Sequence, residues 1–222
     1  MKVLIIAPHP DDETIGCGGT LLKHKAAGDQ IFWCIVTKGY EPRVSSEFLA
    51  KREVEIDQVA AAYGCERVFK LDHHTTRLDT VSQDQLIADF SRVVEAAHPD
   101  CVYLNHSGDV HSDHRVVFEA VMSAIKPFST SRHGVKKILS YEVPSSTDAS
   151  LASFGRPFVP TVFTDIAAYI EQKLQIFSLY PAEIQPYPQP RSLDSLKANA
   201  RVRGATIGVE YAEAFMLLRE IN

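Results

Sequence analysis

Short aliphatic runs alternate with helical stretches along most of the chain, and this alternation limits the folds open to it. The first run, Val3-Leu4-Ile5-Ile6-Ala7, contains no polar residue. An unbroken run of this kind suits a strand of a parallel sheet covered on both faces. Residues 20–27 read as a helix that stops at Gly28, and residues 31–37 as an aromatic and β-branched strand. Strand, helix, strand is already a parallel unit, because two parallel strands need a crossover between them. The order then repeats: a helix over 45–63 closed by Gly64, a strand over 67–71, a helix over 86–97, a strand over 101–104, a helix over 116–125 and a strand over 137–141. A strand near 159–163 and a helix over 166–178 follow. This order predicts an α/β fold, a Rossmann-like doubly wound and mostly parallel sheet with helices on both faces. The stretch 180–190 carries four prolines and reads as irregular. No linker-like segment divides the chain, so residues 1–222 read as a single domain.

Composition excludes several roles. With a formal charge of −5 over 222 residues there is no basic footprint, and nucleic acid is not an expected partner. No apolar run approaches about 18 residues, so no membrane span is expected. The first residues enter a strand without the tripartite pattern of a signal peptide, and a cytoplasmic protein is expected. Cys17, Cys34, Cys65 and Cys101 form no C-x-x-C pair and read as buried thiols.

The chemistry-bearing residues lie at two strand exits. The first, His9-Pro10-Asp11-Asp12-Glu13, follows the opening aliphatic run directly, and Pro10 biases His9 away from helix. The second run, 101–104, leads through Asn105-His106-Ser107-Gly108-Asp109 to His111-Ser112-Asp113-His114. Open α/β sheets place ligands beyond the carboxyl ends of their strands, so both exits should meet at one sheet edge. A helix starting near Ser112 lets His111 and His114 face one way. Three protein ligands with an open position make a catalytic zinc site. His9, one of Asp11 and Asp12, and one of His111 and His114 supply three. The spare carboxylate can take a proton from water, and the spare imidazole can steady an oxyanion or protonate a leaving amine. The same ligand set accepts Fe2+ as well as Zn2+.

These residues also carry a resemblance. Ala7 to Glu13 is similar to the A-H-P-D-D-E opening of the PIG-L/LmbE-like zinc deacetylases, with Pro8 interposed. Gly16 to Leu21 resembles their G-x-G-G-T segment, and His111-Ser112-Asp113-His114 their H-x-D-H motif. Pro188 to Ser192, Arg203-Gly204 and Tyr211 to Phe215 are similar to further family segments, so the likeness spans nearly the whole chain. The resemblance implies His9, Asp12 and His114 as metal ligands, Asp11 as general base, and His111 as the acid or oxyanion partner. It further implies that Asp113 orients His111 and that Arg52 contacts substrate. The expected reaction is removal of the N-acetyl group from an N-acetylglucosamine-type sugar or glycoconjugate, or, as an alternative, hydrolysis of a non-sugar N-acyl compound. The partner implied is thus a small acetylated amino sugar. A homo-oligomer is compatible with this reading, which sets no subunit number. The loops 39–46 and 144–160 are candidates for holding the rest of the substrate.

Other motifs have plainer readings. Glu13 opens a helix and reads as a dipole partner. Gly16-Cys17-Gly18-Gly19 lacks the spacing of a dinucleotide loop and reads as room for close backbone packing. His24, His73, His74 and His106 read as solvated, and Arg115 as a structural charge partner.

Overall fold

The computed structural model describes residues 1–126, 128, 134–151 and 156–222. Seven strands form one sheet: β1 (Lys2–Ala7), β2 (Gln30–Lys38), β3 (Cys65–His74), β4 (Cys101–Asn105), β5 (Lys137–Tyr141), β6 (Val162–Asp165) and β7 (Ala212–Glu220). Their order is β3-β2-β1-β4-β5-β7-β6. The first five are mutually parallel, while β7 runs antiparallel to both β5 and β6. The fold is Rossmann-like, as the alternation predicts. Among the described residues six helices flank the sheet: α1 (Asp12–Ala26), α2 (Ser46–Tyr63), α3 (Gln83–Ala97), α4 (Ser112–Ala124), α5 (Ile170–Phe177) and α6 (Leu193–Ile207).

Alternation along β1 divides the core. Val3, Ile5 and Ala7 join one buried cluster with residues of α1, α2, α5 and α6, and Leu4 and Ile6 join the other with residues of α3 and α4. Covering β1 on both faces explains why its sequence is continuously apolar. The helix over 45–63 is realised as α2, with the Ser45 hydroxyl accepting from the Phe48 N–H and Gly64 closing it at φ 68°.

Several boundaries differ from the sequence reading. Helix α1 begins at Asp12 rather than Thr20 and takes in the glycine run, with a non-helical residue at Cys17 (φ −146°, ψ 23°). Close packing is what the glycines permit: a Cβ on Gly16 would stand 2.2 Å from Tyr141 Cδ2, and one on Gly19 2.7 Å from Ile166. Edge strand β3 extends beyond 67–71 because half-exposed positions alternate along it and leave no continuous apolar run. The helix expected over 166–178 starts only at Ile170, since the Asp165 carboxylate accepts from the Ala167 N–H and holds a turn there. Helix α6 and strand β7 escape pattern reading: α6 buries only Leu196, Ala200 and Gly204, and β7 places Glu213 among buried residues.

Candidate metal and active site

Strands β1 and β4 are parallel neighbours, yet the chain leaves β1 toward β2 on one side and reaches β5 from β4 on the other. This reversal of strand order makes a crevice at their carboxyl ends. His9 leaves β1 and His111 to His114 follow β4, so the two clusters face each other across it.

Three donor atoms there form a nearly equilateral triangle. His9 Nδ1 stands 3.2 Å from Asp12 Oδ2, His114 Nε2 stands 3.3 Å from His9 Nδ1, and His114 Nε2 stands 3.3 Å from Asp12 Oδ2. An ion in tetrahedral coordination with bonds of about 2.0–2.1 Å separates its ligand atoms by about 3.3 Å. The triangle therefore fits such an ion. His9, His111 and His114 also have donor atoms within 4.8 Å of one another, a looser set than the one containing Asp12. Asp12 is fully buried, and its Oδ1 has no hydrogen-bond partner among the described residues.

Each imidazole of the triangle has a carboxylate on its other nitrogen. His9 Nε2 lies 3.1 Å from Asp113 Oδ2, and His114 Nδ1 lies 2.7 Å from Asp109 Oδ2. Such partners fix the ring and its tautomer for metal binding. Asp113 is itself held by the Thr76 N–H at 2.6 Å, and Asp109 by the Thr147 hydroxyl at 2.6 Å. The structure corrects the pairing implied by the resemblance: the Asp113 carboxylate orients His9, and only its backbone N–H reaches His111, at Nδ1, 3.2 Å away.

Burial and charge set the protonation of the cluster. Burial pulls the His114 imidazole down, but Asp12 and Asp109 outweigh it and raise the pKa to about 10. Burial likewise opposes the charged form of His9, and its bonds to Asp113 and Asp12 outweigh that effect and raise it. For Asp12, the pull of His114 and His9 overcomes burial and holds the carboxyl well below its ordinary value. Asp11 moves the other way, raised well above the usual range by burial although Arg191 draws it down. His111 is lowered to about 4 by burial and by the neighbouring His9 and His114.

The segment that carries Asp11 is tightly constrained. Its backbone adopts φ 132°, a conformation rare for a non-glycine residue and costing about 1–3 kcal/mol. Buried Glu13 accepts the Asp11 N–H at 2.9 Å and the Thr14 hydroxyl at 2.7 Å, and the Tyr180 hydroxyl lies 3.1 Å from it. Burial lifts the Glu13 pKa to about 7. Glu13 is therefore a fastener of the Asp11 turn.

A cavity of about 410 Å³ opens onto the site, with His9, Asp11, Arg52, His111, Glu183 and Arg191 in its walls. Arg52 lines it, and its guanidinium pairs with Glu183 and, at 3.2 Å, with Glu55. Of the 39–46 loop, Gly39, Arg43 and Val44 reach the cavity, and none of the described residues of 144–160 does. Residues 152–155 lie outside the described residues.

Sequence reasoning missed Asp109, Glu183 and Arg191. Asp109 closes the polar exit after β4 and carried a signal; Arg191 lies in Pro188–Ser192, which the resemblance covers without a role. Three of the other histidines are engaged away from solvent, His24 with Asp29 and Tyr103, His73 with Asp89 and His106 with the Arg156 carbonyl, whereas His74 stacks on Tyr40 and stays exposed. Arg115 caps the Asp109 and Val110 carbonyls. All four cysteines are free, three buried and Cys65 half-buried. Among the described residues no helix is long and apolar enough to cross a membrane.

Known proteins share this arrangement of elements. The chain is 27% identical over 169 residues to the uncharacterized deacetylase YaiS of Escherichia coli, covering 74% of this chain and 81% of that protein. It is 27% identical over 226 residues to diacetylchitobiose deacetylase of Thermococcus kodakarensis, covering 96% of this chain and 81% of that protein. The solved N,N′-diacetylchitobiose deacetylase of Pyrococcus horikoshii shares the fold with a TM-score of 0.78 at 23% identity, over 98% of this chain and 84% of that one. The family model described as PIG-L, GlcNAc-PI de-N-acetylase, matches residues 4–125, more than half of the chain, and the protein belongs to the PIG-L family.

Proposed function

We propose that the protein is a metal-dependent N-deacetylase that releases acetate from an N-acetylglucosamine-type sugar or glycoconjugate. The observation that carries this reading is the donor triangle of His9, Asp12 and His114 at 3.2–3.3 Å, beside a buried carboxylate, in a chain whose relatives are deacetylases. His9 Nδ1, Asp12 Oδ2 and His114 Nε2 would hold Zn2+, or Fe2+, which the same donors accept. When bound, zinc supplies Lewis-acid polarisation and lowers the pKa of its water toward about 7.

The chain's own residues do the rest. Asp11 takes a proton from the attacking water as the water oxygen bonds to the acetyl carbonyl carbon. His111, held neutral at pH 7 by its pKa of about 4, accepts from the Asp113 N–H at Nδ1 and so carries its proton on Nε2. That N–H steadies the developing oxyanion. When the carbon–nitrogen bond breaks, Asp11 returns the proton to the leaving amine, giving acetate and a free amino sugar. Asp113 and Asp109 act through His9 and His114. Arg52 contributes a wall of the substrate cavity. We read residues 1–222 as one domain, because the strands from β1 to β7 join a single sheet that positions both site loops.

Acetate release from N,N′-diacetylchitobiose and from N-acetylmethionine by the zinc-loaded protein tests this. Turnover of the sugar supports the proposal. Turnover of the amino acid alone favours the non-sugar N-acyl reading, and turnover of neither at any zinc concentration contradicts both.

A further inference from the structure

Arg191 reaches Asp11 from 180 positions away in the sequence, its Nη1 lying 2.8 Å from Asp11 Oδ2. The guanidinium is anchored on two further sides. The same Nη1 is 3.2 Å from Glu183 Oε2, and Nε donates to the Ser145 hydroxyl oxygen at 3.0 Å. Glu183 is in turn fixed through its other oxygen by Arg52. Arg191 thus belongs to a braced chain, Arg52–Glu183–Arg191–Asp11, along one wall of the cavity.

The consequence lies in what remains of Asp11. Its carboxylate torsion is soft and roughly two-fold, so the backbone alone does not choose which oxygen is presented. Arg191 occupies Oδ2, and Oδ1 is left buried without a hydrogen-bond partner among the described residues. One oxygen is committed to a fixed cation, and the other is the acceptor available for a proton.

We propose that Arg191 is a positioning residue that locks the Asp11 carboxylate so that Oδ1 alone serves as the proton acceptor in deacetylation. This rests on the reading of Asp11 as general base. A lysine would keep the charge but lose the planar fork that engages Asp11, Glu183 and Ser145 together.

The test measures acetate release from N,N′-diacetylchitobiose by the zinc-loaded full chain, with D11N as reference. For R191A the expectation is a fall in kcat of about 100-fold, the scale of a misplaced catalytic group. KM and bound zinc should stay unchanged, with partial recovery on adding guanidinium ion. R191K should fold normally and still lose most of kcat. Wild-type kcat in R191A or R191K beside an inactive D11N overturns the proposal and spares the base; an active D11N overturns the base reading and this proposal with it. A loss confined to KM, or one that guanidinium leaves untouched, also overturns it. Crystal structures give a readout that needs no turnover: the Asp11 carboxylate should hold one orientation in the wild type and several in R191A or R191K, and one unchanged orientation in the variant contradicts the proposal.

Discussion

Asp109 Oδ2 lies 2.7 Å from His114 Nδ1, with both side chains buried, so the imidazole presents Nε2 to the site in a single orientation. The sequence gap between the two residues is five, across the turn into α4. Because Asp109 meets no other atom of the donor triangle, its effect on metal binding passes through His114. Asp109→Asn should weaken zinc binding by about 10–100-fold, the usual effect of losing a carboxylate behind a metal-bound histidine. Competition against a fluorescent chelator measures this, and an unchanged affinity would show that the ring needs no such support.

Zinc uptake should release protons and strengthen as pH rises. With a pKa of about 10, His114 is protonated at neutral pH when no ion is bound, and an ion must displace that proton. Its raised folded-state pKa contributes stability that is fully present below the unfolded value of about 6.5 and is lost as pH climbs through about 10. Hence the melting temperature without zinc should fall across that window from this group. The increment given by a fixed excess of zinc should grow from pH 6 to pH 9. Calorimetry in buffers of differing ionisation heat counts the protons, and a zinc increment that shrinks with pH would contradict the assignment.

Glu213 fastens the kink in α1. It accepts from the Gly19 N–H at 2.8 Å and the Thr20 N–H at 2.7 Å, and Lys173 Nζ donates to it at 2.7 Å and to the Ile15 carbonyl at 2.8 Å. Both members of the pair are buried. Removing one partner strands a buried charge, so Glu213→Ala should destabilise the fold by about 3–5 kcal/mol, and the double variant E213A/K173M should recover part of that loss. Denaturant unfolding of the wild type and the two variants checks this. Equal stability of the single and double variants would mean that the lysine finds another partner or water.

Gly16→Ala should disturb the site through its support. The added methyl would sit 2.2 Å from the Tyr141 ring, whose hydroxyl donates to the Ile6 carbonyl at 2.8 Å beneath the His9 turn. Overpacking of this kind costs about 1–3 kcal/mol. Thermal unfolding measures the loss, and a neutral result would mean that Tyr141 moves aside freely.

What the sequence made legible depended on how local the signal was. The aliphatic run of β1 and the polar residues after β1 and β4 are contiguous, so their meeting at one sheet edge follows from parallel topology. Choosing Asp12 and His114 over Asp11 and His111 came from family resemblance, because spacing treats adjacent carboxylates alike. What separates them is tertiary: Asp12 Oδ2 turns toward the imidazoles, while Asp11, at φ 132°, turns toward Arg191. Arg191 and Glu183 stay hidden in a proline-rich stretch without periodicity, and the Asp113–His9 pairing spans 104 positions. Helix α6, whose buried stripe is only Leu196, Ala200 and Gly204, gives almost no amphipathic signal.

The central claim is that His9, Asp12 and His114 jointly hold one metal ion. Anomalous diffraction at the zinc edge from zinc-loaded crystals tests it most directly. The account predicts a single strong peak about 2.0–2.2 Å from His9 Nδ1, Asp12 Oδ2 and His114 Nε2. A peak bonded to His111 in place of Asp12, or none between the two loops, would contradict it.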